Sequence, residues 1–273
     1  MRRIVITVMF MGLIAGTACA KQEAPSVTAS GEPATTPSPI KPPTPTISCQ
    51  ETVAEMEALN QGLRIPDHLR QEDAVKTGEE FDVNEYFTVL THLSPEPGYV
   101  LDYVYRQDLL GSRPVIYARR EEESPYETYV QLYKAVDDPF GEYLEHIQVD
   151  DTAQGFFEWV VLRTYGEQFY LTDNAIPLLD WTILCNREAA KTVIEGANEF
   201  GNPLTAEQKQ KALQLDFKPR LELEEETVKV RIIVFSKWRG FYEHVETISR
   251  EFPHEVLEFE NKELVPYNCG VMP

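Results

Sequence analysis

The chain is 273 residues long and carries 25 Lys and Arg against 45 Asp and Glu, a formal net charge of −20. A surface of this sign is repelled by nucleic acid and by anionic lipid headgroups, which excludes binding driven by contact with either. It suits a soluble surface protein, a cationic partner or a divalent cation, and solubility alone also accounts for it.

Taken in order, the chain opens with an export signal. Arg2 and Arg3 form a short positive region, and Ile4 to Gly16 form an apolar stretch too short to span a bilayer. Gly16-Thr17-Ala18-Cys19 closes it. Residues Ala20 to Ser48 then hold seven prolines, nine Ser or Thr and no aromatic residue. Such a stretch buries too little apolar surface to repay its ordering entropy. Its Pro-rich runs favour an extended form reaching roughly 60–90 Å, which makes it a tether.

The Thr17-Ala18-Cys19 segment resembles the lipobox of bacterial lipoproteins, with Gly16 where the family favours Leu. The resemblance implies cleavage before Cys19, lipidation of that cysteine and a membrane partner through the anchor. The rival is plain secretion, with the cut after Ala20. The organisation read from the sequence is an export signal at 1–18, a lipid-attachment cysteine and tether at 19–48, and a folded part at 49–273. That last part is long enough for one domain or two tightly joined lobes.

Val53 and Met56 recur at helical spacing between Glu51 and Asn60, and Gly62 ends that helix. Asp82-Val83-Asn84-Glu85 reads as a capping box opening a helix that Ser94 to Gly98 stops. Tyr99 to Arg106 alternates as a strand, and Val115-Ile116-Tyr117 is a second. Ser124-Pro125-Tyr126-Glu127 predicts a helix start, with Tyr126, Tyr129, Val130, Tyr133 and Val136 as a core-facing stripe, an exposed aromatic binding face being the alternative. Phe156 to Thr164 reads as a strand turned by Gly166 into Phe169-Tyr170-Leu171. Trp181 to Cys185 is a short strand, and Asn186 and Thr205 each start a helix.

Val228 to Lys237 and Phe241 to Arg250 form a hairpin with Gly240 in a left-handed conformation. Glu255 to Glu260 and Glu263 to Tyr267 predict another, turning at Asn261-Lys262. Helices and hairpins in mixed order predict an α+β fold, mainly antiparallel sheet with several packed helices.

The sequence contains no G-x-S-x-G, H-E-x-x-H, phosphate loop or G-x-G-x-x-G, and no cysteine pair at zinc-finger spacing. Two constellations remain. Asp137, Asp138, Glu142, Glu145, Asp150 and Asp151, with His146 among them, offer oxygen ligands to Ca²⁺ or form a solvated acidic surface. No other cofactor is predicted. Tyr242, His244 and Glu246 share one strand face by the period of two. With Ser236 opposite Phe241, the register sets Ile233 against His244 and Arg231 against Glu246. A histidine oriented by Glu246 beside a tyrosine suits acid–base work, and ordinary sheet stabilisation also explains the three.

The cysteines left after Cys19 are Cys49, Cys185 and Cys269. Because domain ends are often close, a Cys49–Cys269 disulfide is expected, with Cys185 a buried thiol and Cys185–Cys269 the runner-up. The leading functional reading is a lipid-tethered surface module, not an enzyme, that binds an envelope component or another protein. The rivals are an extracytoplasmic hydrolase centred on His244 and Glu246, and a divalent-cation-dependent binder using residues 137–151.

Overall fold

The computed structural model describes residues 47–71, 74–107, 111–137, 139–171 and 179–270. The chain divides into Met1–Pro42 and Pro43–Pro273, and every described residue belongs to the second unit. Cys19, the tether as far as residue 46, and Asp138 lie outside the described residues. The fold is α+β with antiparallel pairing throughout, as the mixed order of helices and hairpins predicts. No described helix is long and apolar enough to cross a membrane.

The elements run α1 (Cys49–Asn60), β1 (Leu93–Pro95), β2 (Tyr99–Arg106), β3 (Arg113–Arg120), α2 (Tyr129–Ala135), β4 (Ile147–Val149) and α3 (Ala153–Tyr165). They continue with β5 (Thr182–Leu184), α4 (Arg187–Phe200), α5 (Ala206–Ala212), β6 (Arg220–Leu223), β7 (Thr227–Ser236), β8 (Gly240–Ser249) and β9 (Val256–Pro266). Asp67–Arg70, Val83–Thr88 and Glu142–His146 form 3₁₀ turns. The capping box at Asp82 therefore starts a 3₁₀ stretch and not an α-helix, with the Asp82 carboxylate accepting from the Asn84 amide. β1 pairs with β4 and β2 with β3, while β5, β7, β8 and β9 run side by side with β6 also on β7.

The large sheet is built by alternation. Val228, Val230, Ile232 and Val234 of β7, with Ile248 of β8, point to one side and pack with α3. Ile233, Phe235 and Phe241, with Val265 of β9, point to the other side, among Ala190, Ile194 and Ala197 of α4 and Ala212 of α5. Asn186 caps α4 by accepting from the Ala189 amide, and Thr205 and Gln208 form a capping box on α5. Gly240 has φ +100°, and a Cβ there would lie 2.4 Å from the Val265 carbonyl, so the hairpin needs glycine.

Several expectations are corrected. Phe156 to Thr164 is not a strand and makes no hairpin with Phe169; it lies in α3, capped by Thr152. Ten of the thirteen α3 residues are buried, so no polar stripe marks a helical period in the sequence. Asn261-Lys262 is not a turn. Lys262 and Asn261 sit mid-strand in β9 opposite Glu243 and His244, and two register shifts let β9 follow β8. In the β7–β8 hairpin Ser236 faces Gly240, so Ile232 faces His244 and Val230 faces Glu246, one residue from the predicted register. The loop is Lys237-Trp238-Arg239, and Gly240 belongs to the strand.

Ser124 does not start a helix. The Tyr126 amide donates to the Tyr117 hydroxyl, and the helix begins at Tyr129 under a Thr128 cap. The aromatic stripe is only partly inward: Val130 and Tyr133 are 51% and 59% exposed, while Leu132 packs with Val104, Val115 and Tyr117.

The disulfide joins Cys49 to Cys185, with Cα atoms 5.6 Å apart, and not Cys49 or Cys185 to Cys269. Cys49 opens α1, which packs on α3, and Cys49 and Cys185 belong to the same core. Cys269 lies in the other core, with its buried side chain among the residues around α4. The sheet that separates the two cores prevents the predicted terminal clamp.

Candidate functional site

A cleft of about 340 Å³ opens on the α3 side of the large sheet. Its walls include Arg163 from α3, Glu167 just beyond that helix, Trp181 before β5, His244 from β8, Phe259 from β9 and Phe140. The strand period places His244 inward: Tyr242, His244 and Glu246 stand opposite Val234, Ile232 and Val230, which face α3. His244 is 6% exposed and Glu246 1%.

Three rings and one guanidinium pack around this floor. Trp181 meets His244 edge-on, with centroids 4.8 Å apart, and Phe259 does so at 5.1 Å. Trp181 also meets Tyr242 at 5.5 Å, and the Arg163 guanidinium sits 5.4 Å from the Phe259 centroid. Arg163 donates to Glu246 Oε1 at 2.6 Å. Glu246 Oε2 and His244 Nε2 are buried without a partner among the described residues. Burial, reinforced by the Arg163 charge, lowers the His244 pKa to about 4 despite a hydrogen bond to Asn261, so the ring is neutral at pH 7. Burial raises the Glu246 pKa, and Arg163 pulls against that shift.

Glu167 closes the opposite wall. Its carboxyl accepts from Arg113 Nη1 and from the Ile116 amide, both at 3.1 Å. Burial pushes its pKa up to about 7 in spite of those two bonds. At neutral pH its protonated form, which can donate, and its ionised form, which only accepts, are both populated. The Thr164 hydroxyl on the wall donates to the Val160 carbonyl.

The predicted triad shares one face, as the alternation requires, but its members do not act on one another as predicted. Glu246 is held by Arg163, not set against His244, and the Tyr242 hydroxyl bonds Glu263. Arg231 pairs with Glu243 at 2.5 Å, not with Glu246. Arg163, Glu167, Trp181 and Phe259 were not legible as site residues in the sequence, because they reach the cleft from separate elements.

The acidic stretch is dispersed. Asp150 bonds His92 and Thr152, Asp151 forms a two-pronged pair with Arg250, and Glu142 lies 3.8 Å from its neighbour His146. Among the described residues, no three His, Cys, Asp or Glu gather as ligands for a metal ion. Comparison with protein-family models, with curated proteins and with solved structures returns no match.

Proposed function

We propose that the chain is a lipid-tethered extracytoplasmic binding module whose cleft takes a small, neutral, hydroxylated ligand, a saccharide unit being the fitting class. The carrying observation is the cleft itself: Trp181 and Phe259 stand against His244, whose Nε2 is buried and has no partner among the described residues. The charged groups lining the cleft have partners within the protein, Arg163 with Glu246 and Glu167 with Arg113, which favours a neutral ligand over an ion. Aromatic side chains with donors and acceptors among them suit a ring that is apolar on its faces and polar at its edges. The lipobox-like end of the signal and the Pro-rich tether support the anchored location, and the Cys49–Cys185 bond is consistent with an oxidising compartment.

A ligand held only by the folded state raises the melting temperature. A panel of neutral mono- and disaccharides, with uronic acids and amino sugars as charged analogues, should show its largest shift with a neutral member. A shift confined to charged members, or none at millimolar concentration, would contradict the reading. Mass spectrometry of the native protein should find an acylated Cys19 as the first residue, and a free amino terminus at Lys21 would contradict the anchor.

A hydrolytic second reading has one observation behind it: His244 and a carboxyl with a pKa near 7, Glu167, line the same cleft. Release of a reducing end from the saccharide that binds, abolished in Glu167→Gln, would move the function to this reading.

A further inference from the structure

β9 is the outer strand of the large sheet, with β8 as its neighbour and no described strand on its far side. From Leu257 to Glu263 seven consecutive residues are exposed, although all lie in one eleven-residue strand. An edge of this length presents unpaired amides and carbonyls, a template for one more strand.

The side chains specify what could add there. Glu258, Glu260 and Lys262 face one way, opposite Thr247, Val245 and Glu243; Phe259, Asn261 and Glu263 face the other, opposite Glu246, His244 and Tyr242. Three glutamates against one lysine give the edge a negative charge, and Lys262 lies 3.9 Å from Glu243. Two copies of this edge carry the same net negative charge, which disfavours a dimer through it. The proline-rich segment before Cys49 is also a poor occupant, because proline has no amide to donate.

We propose that the β9 edge docks an extended basic segment of a partner protein as an added antiparallel strand, with Lys or Arg opposite Glu258 and Glu260 and an apolar residue beside Phe259. Main-chain bonds supply the strand pairing, and the charges select the partner and repel a second copy. The strand edge shares Phe259 with the cleft, but Glu258, Glu260 and the main-chain edge are not among the residues lining it, so the methylated peptide and the glutamate variant test this surface separately from saccharide binding.

The test is fluorescence anisotropy of a labelled, capped seven-residue peptide alternating lysine and valine, titrated with the full chain. Saturable binding is expected. It should weaken at least tenfold when alternate peptide nitrogens are methylated, which removes the amide donors and keeps the charge. It should also weaken at least tenfold in Glu258→Lys/Glu260→Lys. Both side chains are exposed, so that variant should melt as the wild type does. Equal binding of the methylated peptide would reduce the contact to charge alone and overturn strand addition. Absence of binding, or a wild-type dimer by sedimentation with the peptide unable to compete, would overturn the proposal as well.

Discussion

Arg163 on α3 and Glu246 on β8, 83 residues apart in sequence, meet through a 2.6 Å hydrogen bond. The Glu246 side chain is 2% exposed and the Arg163 side chain 33%, so the pair fastens the buried helix to the sheet beneath the cleft. Arg163→Ala should destabilise the fold by about 2–4 kcal/mol, less than for a fully buried pair because Arg163 is partly solvated. Arg163→Ala/Glu246→Leu should recover most of that loss, since no lone carboxyl then remains buried. Urea unfolding of both variants measures the difference.

The two shifted groups of the cleft should leave opposite marks on stability against pH. The folded-state pKa of Glu167 is raised from the usual value of about 4.3 to about 7. In that window the folded state binds the extra proton, so this group makes stability fall as pH rises. The folded-state pKa of His244 is lowered to about 4 from the usual value of about 6.5. Here the unfolded state binds the extra proton, so stability rises between those values and is lost as pH falls. The two slopes oppose each other over most of the same range. Relative to wild type, Glu167→Gln should gain stability as pH rises from about 4.3 to 7, by on the order of 3 kcal/mol. His244→Gln should lose it relative to wild type between about 4 and 6.5. Chemical denaturation at half-unit pH steps checks both signs.

Reduction, or replacement of Cys49 and Cys185 by alanine, frees a loop spanning 136 residues. In the chain-entropy model this should cost about 4–5 kcal/mol, less any strain relieved. Peptide mapping without reductant should recover residues 49 and 185 in one linked species. Cys269 is 3% exposed and should be alkylated only after unfolding. A linked 49–269 species would contradict the structure.

What the sequence made legible follows from the range of each signal. The β7–β8 hairpin and the shared face of Tyr242, His244 and Glu246 rest on a period of two, which survives a one-residue slip in register only for residues on one strand. The cross-strand partners did not survive it: Arg231 stands opposite Val245 and bonds Glu243. Helix α4 was legible because Ala190, Ile194 and Ala197 are buried on one side while Glu188, Lys191 and Glu195 face water. Helix α3 was not, because a helix buried nearly all round has the apolar run of a central strand. Read as a strand, this segment gives no sign that Arg163 reaches a cleft. The disulfide was illegible for a different reason: spacing carries no record of which side of a sheet each cysteine occupies.

The proposed occupant of the cleft bounded by Trp181, Phe259, His244 and Arg163 is a neutral saccharide unit. Calorimetric titration of the full chain with the neutral saccharide giving the largest rise in melting temperature tests this most directly, using wild type, Trp181→Ala and His244→Gln. Saturable one-to-one binding by wild type and at least a tenfold loss of affinity in each variant are expected. Undiminished binding by both variants, or no binding of any neutral saccharide by the wild type, would contradict it.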